Sequence, residues 1–148
     1  MGNLMRRNIL TYKAPPLNEG YDLICIHPDH KIQKTCNFVR IQVKSRYATD
    51  CDRGFPVKEK SIDAFDYLII VFLNIGNFFR GRDGSEGIDE VEFYTLPRDF
   101  IKCHHDALSS WQKVRLKGFD EEIRSYKNEE GFELIADSLN ISKPTRTS

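Results

Sequence analysis

A run of seven apolar and aromatic residues, from Tyr67 to Leu73, constrains the fold more than any other stretch of the chain. Most of its residues are β-branched or aromatic, the types enriched in strands. The run is far shorter than the roughly 20 apolar residues that a membrane span needs. We therefore predict a strand in the middle of a sheet, covered on both faces.

A second strand is predicted at residues 38–44, where apolar and polar side chains alternate. The apolar residues face a core, and the opposite face carries Arg40, Gln42 and Lys44. Because an unpaired buried ammonium group is costly, Lys44 needs a partner or a function. The natural partner is Asp22, near the start of the strand that precedes this one along the chain.

The remaining elements follow from turn residues and periodicity. We predict strands at 9–12, 21–26 and 91–96, a hairpin turn at 27–31 that makes 21–26 antiparallel to 38–44, a loop at 77–87 and a short helix at 97–104. Residues 55–64 fit a strand or a helical turn equally well. From residue 107 the chain is helical in character, with a break at 128–131.

The length of 148 residues suits a single domain. Strands come first and helices last, which predicts an α/β fold in which a mixed sheet of four or five strands is flanked by helices. We predict one domain over 1–148, with a helical C-terminal extension at 107–141 and a flexible tail at 142–148.

Charge and cysteine content set the expected compartment and partners. The chain has 22 basic and 22 acidic residues, so its net charge gives no reason to expect a polyanion. Residues 1–60 nevertheless carry a charge of +5 and residues 61–148 a charge of −5. Four irregularly spaced cysteines favour a reducing compartment, so we expect a cytoplasmic protein that does not interact with membranes.

Asp22, Gln42 and Lys44 suggest a chemistry when they are considered together. Mg²⁺ prefers oxygen ligands, which the Asp22 carboxylate, the Gln42 amide and the Val43 backbone carbonyl would supply. Beside such an ion, Lys44 could orient or deprotonate an attacking water and stabilise negative charge on a phosphate. This combination predicts a phosphodiesterase site.

At these residues the chain resembles the PD-(D/E)XK nuclease superfamily. Gly20-Tyr21-Asp22-Leu23-Ile24 is followed after 19 residues by Ile41-Gln42-Val43-Lys44-Ser45. The resemblance covers roughly residues 9–96. It implies a restriction-endonuclease-like fold and an endonuclease that hydrolyses DNA with Mg²⁺, or with Mn²⁺ as a substitute.

The resemblance also implies residue roles. Asp22 and Gln42 become metal-site residues, next to the Val43 carbonyl suggested by ligand chemistry, and Asp22, Gln42 and Lys44 become the catalytic residues. Apart from the resemblance, four arginines are candidates for contacts with DNA phosphates, namely Arg40, Arg46, Arg80 and Arg82.

The chain departs from the family pattern at two points. Gln42 stands where an acid is usual, which removes a charge from the metal site. Members also carry a helix with a further Glu before the first strand, and residues 1–8 are too few and too irregular to form it. Either the chain is a truncated or degenerate member, or Glu19 takes the place of that Glu. An inactive nuclease-like module that binds nucleic acid or protein is therefore the alternative, and a homodimer is left open.

Three other interpretations of these residues compete. Asp22 and Lys44 could form an ordinary cross-strand ion pair with Gln42 as a neighbour. Asp29, in Pro28-Asp29, could be the family acid, although turn chemistry explains it better. Cys25, His27, His30 and Cys36 could bind zinc, but their spacing matches no paired pattern.

The last group of candidates is expected to be structural. Cys103, His104 and His105 are predicted at a helix end, where adjacent side chains point apart. Five aromatic residues are predicted in the core and interfaces rather than in base stacking, namely Phe78, Phe79, Phe93, Trp111 and Phe119.

Overall fold

The computed structural model describes residues 1–33, 38–47, 54–75, 89–116 and 118–142. Within these ranges the strands are β1 (Leu10–Lys13), β2 (Leu23–Ile26), β3 (Val39–Arg46), β4 (Gly54–Pro56), β5 (Tyr67–Phe72), β6 (Glu92–Pro97), β7 (His105–Asp106) and β8 (Lys113–Arg115). The helices are α1 (Gly2–Met5), α2 (His30–Gln33), α3 (Arg98–His104) and α4 (Asn128–Ser138), with 3₁₀ helices at Glu59–Ala64 and Glu122–Tyr126. No helix in these ranges is long and apolar enough to cross a membrane.

The larger sheet has the strand order β1-β2-β3-β5-β6. β3 and β5 pair in parallel, whereas the other neighbouring strands are antiparallel. These pairings confirm the α/β class, the mixed sheet, the antiparallel neighbours predicted at 21–26 and 38–44, and the internal strand predicted at 67–73. β3, which carries Gln42 and Lys44, is the middle strand.

Both faces of this sheet are covered by hydrophobic residues. On one face, Leu68 and Ile70 of β5 join a core with side chains from β4, β6, β8, α3 and both 3₁₀ helices. On the other face, Ile41 of β3 and Ile69 of β5 join a second core with residues of α1 and α4. We call these the α3-side core and the α4-side core. Alternation along β5 places successive side chains in different cores.

The C-terminal third differs from the helical extension that the sequence predicts. β7 and β8 form a second, antiparallel sheet with β4, in the order β4-β8-β7. Val114 of β8 is fully buried in the α3-side core. β8 is only three residues long, too short for an alternating pattern to distinguish it from a loop. Helical structure is present further along, in Glu122–Tyr126 and α4.

The break predicted at 128–131 is wrong, because these residues begin α4. Gly131 packs closely against neighbouring residues. A Cβ at this position would lie 2.2 Å from the Tyr126 carbonyl oxygen and 3.0 Å from Thr95 Oγ1. The glycine lets the first turn of α4 approach β6 and the preceding 3₁₀ helix. Helix propensity alone does not reveal this use of glycine.

Several smaller predictions are also resolved. Residues 2–5 form a short helix that the sequence did not indicate, and the predicted turn at 27–31 runs into α2. The ambiguous stretch 55–64 contains both a strand and a 3₁₀ helix. The predicted strand at 91–96 and helix at 97–104 are confirmed as β6 and α3. The loop at 77–87 and residues 143–148 of the predicted tail lie outside the described residues.

Candidate functional site

The pairing of β2 with β3 places the predicted site residues on one face of the sheet. Leu23 pairs with Ile41, so the preceding residue, Asp22, stands opposite Gln42. Side chains alternate along a strand, and Lys44 therefore shares the face of Gln42. This is the face that carries the α3-side core, to which Tyr21 also packs.

Asp22 closes the backbone ladder between the two strands. Its amide donates to the Ile41 carbonyl at 2.8 Å, and its carboxylate Oδ2 accepts from the Val43 amide at 2.7 Å. The Asp22 carboxylate oxygen thus takes the place of the backbone carbonyl to which the Val43 amide would donate if the ladder continued. The side chain is held in a fixed position at an exposed site, and its Oδ1 accepts no hydrogen bond from the described residues.

Val43 presents its backbone to the same edge. In an antiparallel ladder the N–H and C=O of one residue point to the same neighbouring strand. Because the Val43 amide points to Asp22, the Val43 carbonyl lies on the Asp22 side of β3, beyond the last paired residue of β2. The predicted carbonyl ligand is therefore on the correct edge of the strand.

Gln42 carries an unsatisfied oxygen. Its Oε1 is buried and has no hydrogen-bond partner among the described residues. A buried polar atom without a partner typically costs about 1–3 kcal/mol, and such groups in folded proteins call for an explanation. A cation held between Gln42 and Asp22 would satisfy this oxygen.

Lys44 is half-buried and follows Gln42 by two residues on the same face of β3. The ion pairs of the described residues do not include one between Lys44 and Asp22 within 4.0 Å. The direct cross-strand ion pair, the main structural alternative, is thus not formed. A direct hydrogen bond between the two side chains is also not formed, which leaves a water-bridged contact between them as a prediction.

The donor set fits a hard cation but gives it little charge. Asp22, Gln42 and the Val43 carbonyl are all oxygen ligands, as Mg²⁺ requires. No group of three or more His, Cys, Asp or Glu residues that could hold a metal is found in the part of the chain described. Asp22 would be the one anionic ligand, so the site suits weak binding of a divalent ion that keeps several waters.

The arginines predicted to contact DNA are partly engaged inside the protein. Arg40 forms an ion pair with Asp66, at 3.0 Å between Nη2 and Oδ1. Arg46 donates to the Gly54 carbonyl and lies 5.1 Å from the centre of the Phe55 ring. Arg80 and Arg82 lie outside the described residues, as do Phe78 and Phe79 among the aromatic residues.

Asp66 is the polar residue that the sequence analysis missed. Its carboxylate accepts from the Arg40 amide at 2.8 Å and Nε at 3.2 Å, and also from Arg98 Nη2. Burial opposes ionisation of Asp66, but the hydrogen bonds from Arg40 and the charges of both arginines outweigh it and hold the pKa of the carboxyl below its usual value. The available signal was an acid immediately before the apolar run, but its partners are far away in sequence.

The zinc alternative is not supported at Cys25. This thiol is fully buried in the α4-side core, and burial raises its pKa to about 11, so that the ligating thiolate is disfavoured. Its Sγ lies 3.5 Å from Thr11 Oγ1. Cys36 lies outside the described residues. His27 accepts a hydrogen bond on Nδ1 from the Asp29 amide at 3.0 Å.

Asp29 performs the turn chemistry expected of it. Its Oδ1 accepts from the Lys31 amide at 2.8 Å, at the start of α2.

The side chains of residues 103–105 have different surroundings, as predicted for adjacent residues at a helix end. Cys103 is exposed, His104 packs on Phe100 and Phe119, and His105 Nε2 lies 2.7 Å from the Val57 carbonyl oxygen.

Two of the aromatic residues do lie in the cores, and one does not. Phe93 packs on the α4-side core and Phe119 on the α3-side core. Trp111 is 68% exposed and is therefore not a core residue, and Lys113 Nζ lies 5.8 Å from its ring centre.

Comparison with protein-family models gives no match to this chain, and comparison with curated proteins gives no significant match. The resemblance to the PD-(D/E)XK nucleases therefore stays a prediction from the motif.

Proposed function

We propose that this chain is a metal-dependent DNA endonuclease of the PD-(D/E)XK type, with a restriction-endonuclease-like fold. The observation that carries the proposal is the buried, unpartnered Oε1 of Gln42 opposite the fixed carboxylate of Asp22. The middle strand of a mixed sheet presents Gln42, Val43 and Lys44 in the order that the motif requires. DNA as the substrate rests on the family resemblance.

Each residue has a distinct role in the proposed reaction. Asp22, Gln42 and the Val43 carbonyl would hold Mg²⁺, which supplies Lewis-acid stabilisation of the phosphate and lowers the pKa of a bound water. Lys44, two residues along the same face, would orient the attacking water and stabilise the negative charge that develops on the phosphate oxygens. The hydrogen bond from the Val43 amide keeps the Asp22 carboxylate in position.

A second candidate is a catalytically inactive module of the same fold that binds nucleic acid or protein. It is favoured by the single anionic ligand of the site, and by α1, which contains no acidic residue that could add a second one. Glu19, the remaining candidate, is exposed in the loop before Asp22. Such a module would bind its partner without hydrolysis.

Plasmid cleavage in the presence of Mn²⁺ separates the two candidates. We expect the parent protein to convert supercoiled plasmid to nicked or linear forms, and Lys44→Ala to reduce the rate by at least about a hundredfold. Asp22→Asn should reduce it similarly. Asn retains an acceptor for the Val43 amide, so this variant removes the charge with little effect on the backbone ladder.

The matched control is Lys31→Ala, which removes an exposed lysine from α2. Equal cutting by all four proteins would mean a contaminating nuclease. Binding of DNA without cutting by the parent would favour the inactive module.

A further inference from the structure

A cleft of about 720 Å³ lies where β3 and β5 begin and β6 ends. Its volume is within the range of small-molecule sites, about 300–1,000 Å³. Arg40, Arg98 and Lys102 contribute to its lining, together with Tyr67 and Ser138. None of these residues belongs to the proposed metal site.

The two arginines of the cleft are oriented by Asp66 and retain free donors. Arg40 uses Nε and Nη2 on Asp66, while Arg98 uses Nε on the Phe65 carbonyl and Nη2 on Asp66. Each guanidinium has five N–H groups, and Nη1 of both residues has no hydrogen-bond partner among the described residues. Both side chains are 28% exposed, so water and solutes reach them.

Lys102 adds a third cation that is only weakly committed. Its Nζ lies 2.7 Å from Asp63 Oδ1, but the two side chains are 49% and 76% exposed. Ion pairs at exposed sites contribute little and are readily exchanged. The cleft is lined by two carboxylates, Asp66 and Asp99, and both oxygens of Asp66 are occupied by arginine donors.

An aromatic side chain completes the cleft. Phe38 lines it and is 58% exposed. The Tyr67 hydroxyl lies 2.8 Å from Ser138 Oγ, which places two hydroxyl groups in the same lining. Guanidinium groups suit phosphate oxygens, and an exposed aromatic face suits a nucleobase.

We propose that this cleft binds a nucleoside phosphate, with the phosphate on Arg40, Arg98 and Lys102 and the base against Phe38. The ligand is either a free nucleotide or the terminal unit of a DNA strand, because both present the same groups. The proposal goes beyond the nuclease assignment and is independent of it, since it requires no metal ion and no cleavage.

Titration of the ¹⁵N-labelled protein with dAMP in EDTA, followed by NMR, tests the cleft. We expect saturable shifts at residues of the cleft, and binding of unphosphorylated deoxyadenosine that is weaker by about tenfold or more. Phe38→Ala and Lys102→Ala should each weaken dAMP binding by about fivefold or more. Both residues are substantially exposed, so the fold should tolerate the changes.

Two further arms sharpen the result. Asp63→Asn removes the ion-pair partner of Lys102 and should not weaken dAMP binding. Lys60→Ala, on the same 3₁₀ helix as Asp63, is the control and should leave dAMP binding unchanged. A short 5′-phosphorylated oligonucleotide that binds more tightly than dAMP identifies a strand end as the natural source. Absence of saturable shifts at millimolar dAMP, or dAMP affinity unchanged by both Phe38→Ala and Lys102→Ala, would overturn the proposal.

Discussion

Gln42 and Asp22 face each other across β2 and β3 but differ in their hydrogen bonding. Asp22 ends the ladder of β2 and β3 through the Val43 amide, so part of its carboxylate has a structural use. The buried Oε1 of Gln42 has no such use among the described residues. An oxygen kept in this state costs stability unless a ligand satisfies it, which is why we propose that the pair binds a metal ion.

Gln42→Glu tests that assignment at a single atom. Without divalent ions, the variant should be less stable by about 1–2 kcal/mol, because a negative charge would be placed where no donor is available. Mn²⁺ should stabilise it more than the parent, since the variant adds an anionic ligand. Urea unfolding in EDTA and in Mn²⁺ measures both effects.

The double variant Asp22→Asn/Gln42→Glu serves as the control and should lose much of the stabilisation by Mn²⁺. If Mn²⁺ stabilises the parent and Gln42→Glu equally, Gln42 is not a metal ligand.

Between elements, Asp66 is a polar connection with two arginine partners. Its side chain and backbone link the beginning of β3 through Arg40 to the beginning of α3 through Arg98. The partners lie 26 and 32 residues away in the chain. Because its side chain is about a quarter exposed, water moderates the strength of these ion pairs.

Asp66→Asn should lower stability at neutral pH by about 1–2 kcal/mol, less than the roughly 3–5 kcal/mol expected for breaking a fully buried pair. The pKa of Asp66 is depressed by folding, so its contribution is complete above the unfolded-state pKa of about 3.9 and is lost as the pH falls through the lower folded-state value. The difference between parent and variant should therefore shrink in acid. Urea unfolding from about pH 6 to about pH 3 measures it.

Asp99→Asn is the matched control for Asp66→Asn, because Asp99 is an exposed acid of the same cleft. It should change stability little at any pH. A difference between parent and Asp66→Asn that stays constant with pH would contradict the role given to the Asp66 ion pairs.

The contact of α4 with β6 depends on Gly131. Replacement by alanine improves helix propensity by about 1 kcal/mol, but the new Cβ would overlap the Tyr126 carbonyl oxygen at 2.2 Å. We expect Gly131→Ala to be destabilised by about 2 kcal/mol overall, since backbone cannot move aside cheaply. Thermal or urea unfolding, with exposed Glu130→Ala as a near-neutral control, measures this. A more stable Gly131→Ala would contradict the packing described.

The elements show why some features were predictable from the sequence and others were not. β3 and β5 are long, and their alternating or continuous apolar patterns reveal both the strand and its burial. β8 has three residues, and its partner β4 lies far from it in the sequence. Gly131 and Asp66 depend on tertiary contacts, which local patterns do not encode. Gln42 and Lys44 drew attention because they are two residues apart on one predicted strand, and their role at a metal ion stays a prediction.

At the scale of the part of the chain that the structure describes, the larger sheet separates the α3-side core from the α4-side core, and the polar sites lie where pairing between neighbouring strands begins or ends. Asp22, Gln42 and Lys44 lie just beyond the pair of Leu23 with Ile41, where the pairing of β2 with β3 ends. The cleft with Arg40 and Arg98 lies at the beginning of β3 and β5. Strands covered on both faces give these sites rigid supports. Arg40 and Gln42 are two residues apart, about 7 Å along β3.

Calorimetric titration of Mn²⁺ into the parent, Asp22→Asn and Asp29→Asn measures whether the Asp22 carboxylate binds the metal ion. Each substitution removes one charge and keeps an acceptor, for the Val43 amide in one case and the Lys31 amide in the other. We expect binding by the parent, an affinity lower by more than about tenfold in Asp22→Asn, and no change in Asp29→Asn. Equal binding by the parent and Asp22→Asn, or a loss confined to Asp29→Asn, would mean that Asp22 is not the metal ligand.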